Sequence, residues 1–209
     1  MKKILLAVAI AIGAVSASFA AVPTVKYSGE VNLGFAAGNK LLYEDEMSIK
    51  SSLNRPLVET IHGVAIGKYL FVGAGVGLQG YFGTMDMSNP DEKWNTITLP
   101  MFVNVKGILP VRGVSPYLSA SFGASVVPYC GSNIAMAIKD YSLKTRLTGG
   151  FYCDLGLAVK LVNWLNVGVG MQHQRFGYKV EVSDGYFSES DNEDGYNGTS
   201  WYLKVGFCW

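Results

Sequence analysis

Trp201-Tyr202-Leu203-Lys204-Val205-Gly206-Phe207-Cys208-Trp209 puts a large apolar side chain at every odd position. Tyr202, Lys204, Gly206 and Cys208 fill the even ones. Unbroken period two marks a strand whose two faces meet different surroundings.

Working back from this stretch, the same pattern recurs. Leu165, Val167, Val169 and Met171 alternate with Asn166, Gly168, Gly170 and Gln172. Phe151, Cys153, Leu155 and Leu157 alternate with Tyr152, Asp154 and Gly156, and Leu118, Ala120, Phe122 and Ala124 with Ser119, Ser121 and Gly123. Ile97, Leu99, Met101, Val103 and Val105 face away from Thr98, Pro100, Phe102, Asn104 and Lys106. Leu70, Val72, Ala74, Val76 and Leu78 oppose Gly73, Gly75, Gly77 and Gln79. Tyr27, Val31, Leu33 and Phe35 oppose Lys26, Ser28, Glu30, Asn32 and Gly34. A second strand, near Leu57 to Ile66, has the least clear pattern. The chain therefore predicts about eight antiparallel strands, each of about ten residues, the length a tilted strand needs to cross hydrocarbon.

Alternation alone does not say which face is inside. The face opposite the apolar one is mostly Gly, Ser, Thr, Asn and Gln, and charged residues make up only 16% of the chain. That is too few for a solvated soluble surface and suits the narrow interior of a small barrel. The prediction is an all-β, eight-stranded, antiparallel up-and-down transmembrane β-barrel.

The connections support this orientation. Long polar segments, Gly38–Ser52, Gly83–Asn95, Pro128–Lys144 and Gly177–Gly198, follow the odd strands. Short ones, Gly67–Tyr69, Gly107–Ser115 and Lys160–Trp164, follow the even strands. Long outer loops and short periplasmic turns are the usual asymmetry of outer-membrane barrels.

The first twenty residues read as an export signal. Lys2 and Lys3 precede an apolar run from Ile4 to Ala17, and Ser18-Phe19-Ala20 supplies small residues for cleavage after Ala20. The apolar run is too short for a membrane anchor, which needs ~20 residues. The organisation expected is a signal peptide at 1–20 and a barrel domain at 21–209, destined for the outer membrane of a Gram-negative bacterium.

From Ala21 to Trp209 the chain resembles the small OmpA/OmpX-like barrels, the porin-like outer-membrane proteins. The resemblance rests on Gly67-Lys68-Tyr69-Leu70-Phe71-Val72-Gly73-Ala74-Gly75-Val76-Gly77, on Ser115-Pro116-Tyr117-Leu118, and on the final strand. It implies that Trp201, Leu203, Val205, Phe207 and Trp209 form the signal read by the barrel-assembly machinery. The terminal Trp departs from the commoner Phe. Members of the family include membrane-stabilising barrels, adhesins, narrow pores and a few lipid-modifying enzymes, so the resemblance does not fix one activity.

Several motifs carry less than their form suggests. Gly75-Val76-Gly77-Leu78-Gln79-Gly80 matches a dinucleotide fingerprint, but a strand and a polar loop follow it where a helix is required. His62 and His173 stand apart, and His173 has no serine two residues on to act as nucleophile. Cys130, Cys153 and Cys208 have neither disulfide nor metal spacing. Glu181, Asp184, Glu189, Asp191, Glu193 and Asp194 match no Ca²⁺ loop and read as a solvated acidic segment. A net charge of +1 offers no footprint for nucleic acid. No cofactor and no catalytic activity are expected.

The alternation rule sends Lys26, Glu30, Lys106, Asp154 and Lys204 inward, together with Glu59. Buried charges must pair. Glu30 and Lys204 are expected to meet where the last strand closes on the first, with Asp154 facing them. Tyr81, Phe102, Tyr117 and Tyr152 add bulk to the same face. The lumen cluster Glu30, Lys106, Asp154 and Lys204 is therefore expected to plug the barrel. The function expected is a non-catalytic barrel that supports the membrane and displays loops for binding or adhesion. Its partners are outer-membrane lipid, the assembly machinery and a possible surface ligand. A narrow pore for small solutes is the alternative, and a lipid-modifying enzyme the least favoured reading.

Overall fold

A computed structural model of the chain describes residues 24–43, 47–50, 54–84, 93–111, 113–130, 134–138, 141–183 and 188–209. Residues 1–20, expected to be a signal peptide, lie outside them, as do the acidic side chains between positions 181 and 194.

The strands are β1 (Val25–Tyr43), β2 (Met47–Lys50), β3 (Arg55–Ile66), β4 (Leu70–Thr84), β5 (Lys93–Ile108), β6 (Ser115–Cys130), β7 (Ile134–Ile138), β8 (Tyr141–Thr148), β9 (Phe151–Val162), β10 (Leu165–Ser183) and β11 (Ser188–Cys208). The wall runs β11-β1-β3-β4-β5-β6-β9-β10, and β10 pairs with β11 to close it. Every pairing is antiparallel, so the architecture is a closed eight-stranded barrel of hairpin-connected strands. Closure removes the free edges that an open sheet would leave unsatisfied in lipid.

At one end the hairpins are tight. Residues 67–69 make one turn, with Gly67 at φ 62°, a left-handed conformation that glycine adopts without strain. Residues 163–164 make another. At the other end the strands run on well beyond the barrel rim. The segment Gly177–Gly198, read from sequence as a loop, is instead a hairpin: β10 and β11 stay paired from Gly177↔Asp194 to Ser183↔Ser188. Likewise β8 continues the line of β9 and pairs with β10 from Gly177↔Thr148 onward, and β7 folds back on β8. The returning half of the hairpin, residues 188–197, is almost wholly polar and has no apolar period, although Tyr178, Val180 and Val182 on the outgoing half alternate with Lys179, Glu181 and Ser183.

The outward face is apolar. Leu157, Phe122, Met101 and Leu203 are each more than half exposed. So broad an apolar exterior fits a hydrocarbon solvent rather than water. Aromatic residues gather at the short-turn end, where Trp164 stacks on Phe207 at 6.2 Å and Trp209 lies edge-on to His62 at 5.9 Å. Rings of this kind favour the membrane–water boundary.

The inward face is closely filled. Phe102 and Tyr152 stack at 5.4 Å, with Ile61 and Phe71 around them, while Ala36, Leu57 and Tyr202 form a second cluster. Large rings are seated on glycines: a Cβ at Gly75 would lie 2.6 Å from the Phe102 ring, and one at Gly156 would overlap the Tyr202 hydroxyl. The glycine row of β4 is thus a set of seats for neighbouring side chains, not a phosphate cradle.

Candidate functional site

The side chains that carry charge into the barrel define the site. Among the described residues, six charged side chains are buried: Glu30, Arg55, Glu59, Lys106, Asp154 and Lys204. They form three tiers along the barrel axis.

The tier nearest the short turns is the pair Glu30–Lys106. Glu30 sits on β1 and Lys106 on β5, and their heads meet across the lumen. Asn32 Nδ2 donates to Glu30 Oε1 at 2.9 Å. The Lys106 ammonium lies 5.0 Å from the Phe71 ring centre and 5.2 Å from that of Tyr117, close enough for cation–π attraction. Cys208 also faces this tier, accepting from Asn166 Nδ2 at 3.1 Å.

The middle tier centres on Lys204 of β11. Its Nζ lies 2.9 Å from Asp154 Oδ2 and 3.0 Å from Glu59 Oε2. Two tyrosines complete the carboxylates. Tyr202 Oη donates to Asp154 Oδ1 at 3.0 Å, and Tyr152 Oη donates to Glu59 Oε1 at 3.3 Å. One cation thus holds two acids, and each acid gains a hydroxyl. A cavity of about 30 Å³ runs between these two tiers, lined in part by Glu30, Glu59, Lys106, Asp154 and Lys204. That volume accommodates roughly two waters.

The third tier, toward the long hairpins, is built on Arg55. Its Nη1 donates to Tyr81 Oη at 2.7 Å, and its Nη2 donates to Gln172 Oε1 at 2.9 Å and to Ser200 Oγ. Tyr81 Oη in turn donates to Gln174 Oε1 at 2.6 Å, and Gln174 Nε2 donates to Ser125 Oγ at 2.6 Å. Gln172 Nε2 donates to Gln79 Oε1 at 3.0 Å. Phe176 closes on Tyr81 edge to face at 5.5 Å.

The structure corrects two expectations. Glu30 pairs with Lys106, not Lys204. On the closing seam Lys204 stands opposite Gly34, while Glu30 stands opposite Cys208, four positions along and roughly 13 Å away at 3.3 Å per residue. Lys26 is exposed near the short-turn end, so its alternation is inward but its position is past the packed lumen. Asp154 and Lys204 do meet, and Lys106 lines the same cavity. Arg55, Gln172, Gln174 and Ser200 had no place in the expected cluster. Arg55 lies one strand-end ahead of the segment read as strand two, although its odd parity with Leu57 and Glu59 marks it as inward.

The expected assembly row and the two histidines lie on the outer wall. Trp201, Leu203, Phe207 and Trp209 are exposed and Val205 is partly so, all on the lipid side of β11. Trp209 is held by reciprocal backbone bonds, Trp209 N to Gly29 O at 3.0 Å and Gly29 N to Trp209 O at 3.2 Å. His62 is hydrogen-bonded to Tyr27 Oη at 2.6 Å and Thr60 Oγ1 at 2.9 Å, and His173 to Thr199 Oγ1 at 3.0 Å.

No family profile matches the chain. No curated protein matches it in sequence. Solved structures do resemble it in shape. The solid-state NMR structure of outer membrane protein AlkL in DMPC lipid bilayers aligns with a TM-score of 0.50 at 11% identity, covering 91% of this chain and 92% of that one. Neisserial surface protein A (NspA) aligns at 0.47 and 13% identity, covering 88% of this chain and 98% of that one. The outer membrane enzyme PagL aligns at 0.47 and 14%, covering 84% and 97%. At such identities the likeness is one of fold. The fold is the eight-stranded outer-membrane β-barrel, and with its apolar exterior and aromatic boundary it places the protein in the outer membrane.

Proposed function

We propose that this protein is a non-catalytic, closed outer-membrane barrel. It supports the membrane and presents its long hairpins as a binding surface. The observation that carries this reading is the filled lumen. Three tiers of paired or hydrogen-bonded charges, with stacked Phe102 and Tyr152 between them, leave a cavity of about 30 Å³. An eight-stranded barrel has an interior that side chains can fill, and here they do. A hydrated ion would have to separate Lys204 from both Glu59 and Asp154 to pass, leaving charges unpaired in a low-dielectric interior.

Its partners are outer-membrane lipid around the wall, a ligand at the hairpin end, and the assembly machinery during biogenesis. The last reads the lipid-facing row Trp201, Leu203, Val205, Phe207 and Trp209. Planar-bilayer recording of the purified protein tests the closed-barrel reading. Brief, rare openings are expected, and a large steady single-channel current would replace it with the pore reading.

A further inference from the structure

The six buried charges of the described residues sum to zero, three acids against three bases, but they are unevenly placed. Lys106 has one carboxylate partner and Lys204 has two. Arg55 is 1% exposed, and among the described residues no carboxylate lies within 4.0 Å of its guanidinium. Its three hydrogen-bond partners, Tyr81, Gln172 and Ser200, are all neutral. A buried cation with only neutral acceptors lacks local charge compensation.

The direction of the hydrogen bonds sharpens the point. A guanidinium only donates. Gln172 must therefore offer Arg55 its oxygen, which turns its amide nitrogen toward Gln79 Oε1. Gln79 has then spent its oxygen as acceptor, and its own Nε2 is left as the end of the relay. The second relay, through Tyr81 and Gln174, ends on Ser125, whose hydroxyl donates to the Gly150 carbonyl at 3.4 Å. The first relay has no such terminus: Gln79 Nε2 is buried without a partner. So is Arg55 Nε. Flipping the Gln79 amide would only set nitrogen against nitrogen at Gln172. The tier thus holds two orphaned N–H donors and a guanidinium whose hydrogen-bond partners are all neutral, the balancing carboxylate standing one tier away at Lys204. Thr98 Oγ1, on the residue paired with Gln79, is a neutral acceptor that is itself unpartnered, and an acceptor carrying negative charge would meet the need that it leaves.

We propose that the Arg55 tier binds a small monovalent anion of the halide class, held by Arg55 Nε and Gln79 Nε2. A water molecule would accept from both donors but would not compensate the charge. Arg55, Gln79 and Gln172 are at most 1% exposed, and such close burial favours the smallest anions.

The test uses the full mature chain, refolded in detergent micelles at constant ionic strength. Chloride is replaced stepwise by gluconate, which is too large to enter, and unfolding is followed by heat-modifiable gel mobility. A ligand that binds only the folded form raises the unfolding temperature with its concentration. A rise of a few degrees from chloride-free to chloride-saturated buffer is expected, and bromide should reproduce it. Arg55→Gln should abolish the dependence on halide, while Lys106→Met, in a different tier, should retain it. An equal salt response in the Arg55→Gln variant would reduce the effect to general screening and overturn the proposal. Should Arg55→Gln fail to fold, the wild-type protein decides alone. Crystals grown in bromide should give an anomalous peak beside Arg55 Nε. Density there without anomalous signal, whether water or a carboxylate of the chain itself, sinks the proposal.

Discussion

Lys204 Nζ lies 2.9 Å from Asp154 Oδ2, a contact between the last wall strand and β9 that crosses the barrel interior instead of running along the seam. Because Glu59 sits 3.0 Å from the same ammonium, the lysine separates two acids that would otherwise face each other. Lys204→Met should therefore destabilise the barrel by ~3–5 kcal/mol, the usual cost of stranding a buried partner. Urea unfolding in lipid vesicles measures the loss. Adding Asp154→Asn to Lys204→Met should recover part of it, since one of the stranded charges is then gone, and an additive double variant would argue against a coupled triad.

The same lysine bears on permeability. With Lys204→Met the middle tier loses the cation that bridges Glu59 and Asp154 and keeps them apart, and cation leak through the purified variant should rise above that of the wild type. Planar-bilayer recording of the two proteins side by side checks this, and equal currents would mean that the aromatic stack alone seals the lumen.

Gly156 lies beneath Tyr202, where any Cβ would overlap the tyrosine hydroxyl but would stand 3.3 Å from Cζ. Gly156→Ala should cost ~1–3 kcal/mol as an overpacked interior position. Removing the hydroxyl in Tyr202→Phe makes room, so the double variant should be more stable than the sum of its two single losses predicts. Unfolding free energies of the four proteins in one double-mutant cycle give the coupling. A coupling of zero would mean that the seat is not filled by Tyr202 in solution.

Leu203 and Lys204 are neighbours in sequence and face opposite solvents, with Leu203 53% exposed on the wall. Arg at position 203 would enter hydrocarbon. Leu203→Arg should cost ~2–4 kcal/mol near the bilayer midplane. The comparison to make is unfolding in lipid vesicles against detergent micelles, where the penalty should shrink. Equal penalties in both would displace Leu203 from the hydrocarbon.

Deleting Phe207 to Trp209 should block assembly. Trp209 and Gly29 exchange two backbone bonds at the closing seam, and their loss leaves part of β1 without its neighbour. Heat-modifiable mobility and surface labelling of the truncated protein report the outcome. Normal behaviour in both would remove the final strand's aromatic row from the assembly signal.

The faces of most strands were readable from the chain because lipid and packed interior impose opposite demands on alternate residues. β3 was the exception. Its inward face includes Leu57 and Ile61 as well as Glu59, so both faces carry apolar groups and the period blurs. What alternation does not encode is stagger. Glu30 and Lys204 share a face and flank one seam, yet closure slides them four positions apart, and only the assembled barrel fixes which charge meets which. The Arg55 tier was hidden for a related reason. Gln79 on β4 and Gln172 and Gln174 on β10 are ordinary polar residues of two separate strands, and only closure gathers them around the guanidinium that β3 supplies.

The seating of large rings on glycines has a consequence for descent. Tyr202 occupies space that side chains at Gly156 and Gly170 would take, and Phe102 occupies that of Gly75. An interior position can thus change size only if its occupant changes too, so inward substitutions should be inherited in compensating sets, whereas the lipid-facing wall can exchange one apolar residue for another singly. Lineages of such barrels would then diverge quickly outside and in coordinated jumps inside. Correlated substitution at 156, 170 and 202 across relatives would be the historical trace of that mould.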